Sequence, residues 1–213
     1  PSKQTLHLVS SLLESVLQPN NIEQSKVIEN HISELNKNIH NKLVENLPSD
    51  DFSVLEKAIK KASNTMTPFD QIINEIGKSE IMNQLDTYAV QRKIDLCNLL
   101  KELKWILTEG PTGCGRSRFS MAINSKGCFN WVNNYPANVF SFPVIIGRDK
   151  ITAGTLIGSF NGQMRYILDN IKLLRRAELE IKDKYDNDLH GQEIASLSWK
   201  DLSSEEKKLT PPI

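Results

Sequence analysis

The residues whose types could do chemistry lie between Glu109 and Trp131. Gly110-Pro111-Thr112-Gly113-Cys114-Gly115-Arg116-Ser117 holds three of the chain's ten glycines, and Cys114 and Cys128 are two of its three cysteines. The eight residues come within one position of the phosphate loop G-x-x-x-x-G-K-[ST], which aims backbone N–H groups at phosphate oxygens, reaches the outer phosphates with lysine and binds magnesium through the hydroxyl. Arg116 stands where the lysine belongs. A guanidinium pairs with phosphate, but as a planar fork and not as a compact ammonium. Arg116, Arg118, Arg148 and Lys150 could gather into an anion site. Elsewhere the chemistry is sparse. His7, His31, His40 and His190 are far apart in sequence and fall in helical settings, so no nucleophile has an evident base beside it and no catalytic residue is assigned.

A phosphate loop needs a buried strand before it and a strand ending in an acid after it. Before this turn come Leu96, Leu99, Leu100, Leu103 and Ile106, a helical stripe predicted to run from about Asp86 to Leu107 with Cys97 as a small buried residue beside it. After it, Val144-Ile145-Ile146 reads as a short strand but runs into Gly147-Arg148-Asp149.

The rest of the chain reads as helices that could position such a turn. Leu6, Val9, Leu13, Val16 and Leu17 predict a first helix over 2–18 with a buried apolar face, ended by Pro19-Asn20. Ile28, Ile32, Leu35, Ile39, Leu43 and Leu47 predict a long second helix that stops at Pro48, its narrow stripe suited to helix-on-helix packing. His31 and His40 flank that stripe as surface or boundary residues. Ser49 caps a third helix through Phe52, Leu55 and Ile59, and Thr67-Pro68 opens a short fourth through Ile72, Ile73 and Ile76, closed by Gly77. After residue 150, Ile157, Phe160, Met164, Ile167, Ile171 and Leu174 mark a long helix. Gly154, Gly158 and Gly162 recur every four residues along it, so either its first turns are loop or another backbone, a cofactor or a partner helix comes close. Ser203-Ser204-Glu205-Glu206 is a capping box for a last short helix.

The 213 residues suffice for one or two domains. Lys+Arg and Asp+Glu both number 26, so no overall field recruits nucleic acid, and nucleic-acid binding is not expected. The apolar runs are too short for a bilayer, and a membrane is not expected. An odd, sparse cysteine set points to a reducing compartment, the cytoplasm by default. A start at Pro1 and an end on Leu209-Thr210-Pro211-Pro212-Ile213 lead us to expect a piece of a longer protein, with the rest of that polypeptide or other subunits as its partners.

The segment also resembles a known family. Gly113-Cys114-Gly115, then Gly127-Cys128, then the aromatic and proline-rich loops through Trp131, Tyr135-Pro136 and Phe142-Pro143, look like the start of the thiamine-diphosphate domain of the 2-oxoacid (pyruvate):ferredoxin/flavodoxin oxidoreductases. The tail from Trp199-Lys200-Asp201-Leu202 to Ile213 is similar to the lead-in to that family's Gly-Asp-Gly diphosphate strand. The likeness covers about residues 105 to 213. It implies a divergent fragment leading into an α/β thiamine-diphosphate domain, not catalytic alone. Its implied cofactors are thiamine diphosphate and a [4Fe–4S] iron–sulfur cluster, and its implied electron partner is ferredoxin or flavodoxin. By the same resemblance Gly113, Cys114, Gly115, Arg116 and Ser117 are the cofactor-binding candidates, with Cys114 and Cys128 as cluster ligands. The family's turn carries Cys-x-x-Cys where this one has Pro111 and Cys114, and Arg116 replaces its acid. The two other readings are a phosphate-binding NTPase and a helical interaction module whose glycine turn is structural. The expected fold is mainly α, a helical part over 1–107 packed against the glycine-rich loop and long helix of 108–213.

Overall fold

The computed structural model describes residues 2–46, 57, 60–61, 86–111, 113, 115–117, 120–123, 142, 144–146 and 151–208. The described chain is mainly helical, as expected. In order, its elements are α1 (Ser2–Asn46), α2 (Thr87–Thr108), β1 (Met121–Ile123), β2 (Val144–Ile146), α3 (Ile151–Ile181), α4 (Asn187–Ser196), a 3-10 turn (Trp199–Asp201) and α5 (Ser204–Lys208). The predicted third and fourth helices fall outside the described residues, except that Lys57, Lys60 and Lys61 of the third are helical.

The predicted break at Pro19 does not occur, and α1 runs through it. Proline forfeits its own i→i−4 hydrogen bond and crowds the carbonyl four residues back, at a cost of about 3 kcal/mol. Contacts on both sides oppose that cost. Leu17, Gln24 and Ser25 are buried, and the Asn21 side chain donates to the Arg116 carbonyl at 3.1 Å. By contrast α2 matches its prediction within a residue at each end, and Asp86 accepts the Ala89 N–H at 3.0 Å in the manner of a cap. The strand at Val144–Ile146 also forms, with a partner the sequence did not announce. It pairs in parallel with Met121–Ile123, Ala122 opposite Ile145.

The chain divides into two compact units, one of residues 1–25, 105–171 and 197–213, the other of 26–104 and 172–196. In the first, Ile171, Leu197 and Leu202 form a small core with Ile167, Leu168 and Trp199 packed against it. The predicted capping box closes the start of α5: Glu206 N–H donates to Ser203 Oγ at 3.2 Å, and Ser203 N–H to Glu206 Oε2 at 2.7 Å. In the second, Ile28, Leu35 and Ile39 of α1, Val90, Ile94, Cys97, Leu100 and Leu103 of α2, and Leu174 and Ala177 of α3 are buried at three- and four-residue steps.

One polar knot ties those three helices. Lys93, only 1% exposed, donates to the Asn38 side chain and to Asp183 Oδ1 at 2.6 Å, while Lys42 reaches the same oxygen at 2.7 Å. Asn38 Nδ2 donates to the Ile181 carbonyl and to Asp183 Oδ2. Buried Glu180 pairs with Arg92 through both carboxylate oxygens, and the Arg92 guanidinium lies over the rings of Tyr88 and Tyr185. Asp183 also ends α3. Its φ of 51° is left-handed, Asp183 N–H donates to the Glu180 carbonyl and Lys184 N–H to the Leu179 carbonyl, the Schellman pattern with aspartate where glycine is usual. Burial pulls the Asp183 carboxyl up, but the hydrogen bonds from Lys42, Lys93 and Asn38 outweigh it and hold its pKa at about 2.

Candidate functional site

The glycine-rich turn is built on the carboxyl end of α2. Glu109 and Gly110 N–H groups both donate to the Trp105 carbonyl at 2.8 Å, Gly113 N–H donates to the Gly110 carbonyl at 3.3 Å, and Gly115 N–H donates to the Glu109 carbonyl at 2.7 Å. Gly110, Gly113 and Gly115 all have positive φ. The last is required twice over: its φ is +70°, and a Cβ there would stand 2.4 Å from the Leu107 carbonyl oxygen. This is a helix stop in which backbone donors answer the last carbonyls of α2.

That geometry runs opposite to a phosphate loop. A phosphate loop presents free amides at a helix N-terminus, where the dipole favours anions. Here the amides of Gly113 and Gly115 are committed to carbonyls, the helix lies before the turn, and its carboxyl end favours cations. The next described element is β1, not a helix.

Of the cofactor-binding candidates, Gly113 is exposed, with open space where a Cβ would be, and Gly115, Arg116 and Ser117 are half-buried. Arg116 does not reach outward as a free fork. Its guanidinium lies 3.7 Å from the centre of the Tyr166 ring on α3, and burial pulls its pKa below the usual range despite that ring's attraction. Through Asn21 on its carbonyl and Tyr166 on its side chain, Arg116 joins the turn to α1 and α3 within one unit. Cys114 and Cys128 lie outside the described residues, as do Arg118, Arg148 and Lys150. Together Cys114 and Cys128 would supply two of the four thiolates that a cubane needs. Among the described residues no group of His, Cys, Asp and Glu could hold a metal ion. Cys97 is buried, and that burial pushes its thiol up to about 11, which leaves it a packing residue. His31 is half-buried, and its Nδ1 has no hydrogen-bond partner among the described residues.

Sequence reasoning missed a surface on the same unit. In α1 the buried positions before residue 26 are Ser10, Leu17, Gln24 and Ser25, whereas Leu8 (63%), Val9, Leu12, Leu13 and Val16 (68%) are exposed. Of the stripe that the sequence assigned to the core, Val9, Leu13 and Val16 therefore face outward, whereas Leu17 is buried and Leu6 half-buried. The stripe's period was legible, but a period shows that an apolar face exists without showing what covers it. The first turns of α3 behave in the same way. They are helix, not loop, and every residue from 153 to 162 is exposed, including Leu156, Ile157 and Phe160. A Cβ at Gly154, Gly158 or Gly162 would meet nothing within 4 Å, so the close neighbour that these glycines could admit is not another part of the described chain. Among the described residues no helix is long and apolar enough to cross a membrane.

Comparison with protein-family models, with curated proteins and with solved structures found no match for this chain.

Proposed function

We propose that this chain is a helical protein-interaction module that docks through the outward apolar faces of α1 and α3, its glycine-rich turn serving as a helix stop. The observation that carries the reading is the outward apolar face over the first half of α1, where Leu8, Val9, Leu12, Leu13 and Val16 are exposed while Ser10, Leu17, Gln24 and Ser25 are buried. Contiguous apolar surface of that kind costs free energy in water and is associated with binding sites. The segment of α3 over 153–162 supports the same reading. Three glycines cost a helix about 3 kcal/mol in total relative to alanine, and a stretch this short gains little from propensity alone, so a contact on its face would stabilise it.

The test is the native size of the tagged chain in an extract of its own cells. Docking predicts elution well above the 24.1 kDa of a free chain, and elution as a free chain for Val9→Glu/Val16→Glu and for Ile157→Glu/Phe160→Glu. These positions are exposed, so unchanged helicity by circular dichroism shows that the fold survives. A wild-type chain that elutes as a free monomer would refute the proposal.

A second proposal rests on the sequence resemblance over residues 105–213: a fragment of a thiamine-diphosphate-dependent 2-oxoacid oxidoreductase, bound within its parent protein. It predicts that thiamine diphosphate with magnesium raises the melting temperature of the anaerobically purified parent protein and that ATP with magnesium does not. A parent protein indifferent to thiamine diphosphate would count against it.

A further inference from the structure

We propose, independently of the docking reading, that Asn161-Gly162 is a self-modifying site: α3 opens from its exposed end, and the pair deamidates through a succinimide that breaks the helix irreversibly. Asparagine before glycine is the sequence most prone to this reaction, because glycine has no Cβ to hinder its own nitrogen and accepts the backbone angles the ring demands. Asn161-Gly162 is the chain's single Asn-Gly pair, and both residues are exposed. A Cβ at Gly162 would meet nothing within 4 Å, so the ring has room to close. The Gly162 nitrogen attacks Cγ of Asn161 and loses its proton as the new bond forms; the Cγ–Nδ2 bond breaks and ammonia leaves. Water then opens the ring at either carbonyl, giving aspartate or isoaspartate. Water is the only co-reactant, and nothing is oxidised or reduced.

A formed helix opposes the attack, since Asn161 must leave helical ψ and the Gly162 N–H must release the carbonyl of Gly158, four residues back. The segment before Gln163 holds that bond weakly. Every residue from 153 to 162 is exposed, half-buried positions begin at Gln163, and the first buried residue of α3 is Ile171. Within 151–162 only Ala153 and Leu156 are strong helix formers, and each of Gly154, Gly158 and Gly162 lowers the ratio of helix to coil about fivefold relative to alanine. A helical stretch this short and this poor in formers is marginal without packing, and local opening concentrates where backbone is exposed and burial sparse. Unravelling from Ile151 therefore reaches Asn161 before it meets a buried side chain. The product places a carboxylate in residues 151–164, which contain no Asp, Glu, Lys or Arg. Isoaspartate also adds a methylene to the main chain, so the helix cannot re-form in register across it.

Ageing the purified full chain at neutral pH, native and in urea, tests this. Conversion at Asn161 is read on its own peptide by mass spectrometry, and isoaspartate is counted by enzymatic carboxyl methylation. The native rate should lie within about tenfold of the rate in urea, because opening a frayed helix end is nearly free. Gly154→Ala/Gly158→Ala leaves the reacting pair intact and adds side chains that meet nothing; it should slow the native reaction about tenfold or more and leave the rate in urea unchanged. Protection of the native wild type by more than about tenfold would show that α3 does not open at Asn161 and overturns the proposal. A native rate indifferent to the two alanines overturns it equally, since helix opening would then not be the gate.

Discussion

Replacing Asp183 by alanine tests whether the knot of Lys93, Lys42, Asn38 and Asp183 is a coupled unit. Lys93 is 1% exposed and has two described acceptors, Asn38 and Asp183. Asp183→Ala leaves its ammonium buried with the amide alone. Breaking a buried pair costs about 3–5 kcal/mol, but the Asp183 side chain is 45% exposed, which brings the expected loss to about 2–3 kcal/mol. Lys93→Met removes the buried charge together with its desolvation penalty, fills a similar volume, and leaves Asp183 to Lys42 and Asn38, so its cost is at most about 1 kcal/mol. Once Lys93 is methionine, losing Asp183 strands no buried ammonium. The double variant should therefore be more stable than the sum of the singles predicts, by about 1–2 kcal/mol. Urea unfolding followed by circular dichroism measures all four corners. Equal cost of Asp183→Ala in both backgrounds would refute the reasoning.

The same carboxylate gives a pH prediction. Its folded pKa of about 2 lies below the ordinary 3.8, so its stabilisation is complete above about pH 5 and is lost as pH falls through the folded value. Discounted for exposure, the advantage of the wild type over Asp183→Asn should shrink by about 1 kcal/mol between neutral pH and pH 2. Asp183→Gly loses the same ion pairs as Asp183→Ala but accepts the left-handed backbone, and should be more stable than the alanine variant by about 1 kcal/mol. Gly115→Ala drives a Cβ into the Leu107 carbonyl and should cost at least about 2 kcal/mol, whereas Gly113→Ala, strained but with open space around it, should cost about 1 kcal/mol; thermal melts of the two rank them. Cys97, with its thiol held at about 11, should resist iodoacetamide at neutral pH until urea unfolds the chain, read on its own peptide by mass spectrometry.

What the sequence made legible was local. The stripe of α2, the capping box at Ser203 and the β-branched run at Val144–Ile146 each carry their signal within a few residues, and each appears where expected. Pro19 misled because a breaker's local cost was outweighed by burial of Leu17 on one side and of Gln24 and Ser25 on the other. The polar knot had no short-range signature, since Lys93 is 55 residues from Asn38 and 90 from Asp183. For the same reason β1 was not foreseen: a three-residue strand is defined by its partner, and that partner lies beyond a long connection. The glycine turn was noticed but its direction was not. Glycines that end one helix and glycines that begin another share a composition, and only the carbonyls of α2 tell them apart.

The division of the chain bears on any attempt to take it apart. One unit is assembled from three stretches of sequence and the other from two, in alternation. No single truncation from either terminus yields either one whole. Isolating one for study requires splicing its pieces through new linkers, and a terminal deletion intended to remove one will also strip residues from its neighbour.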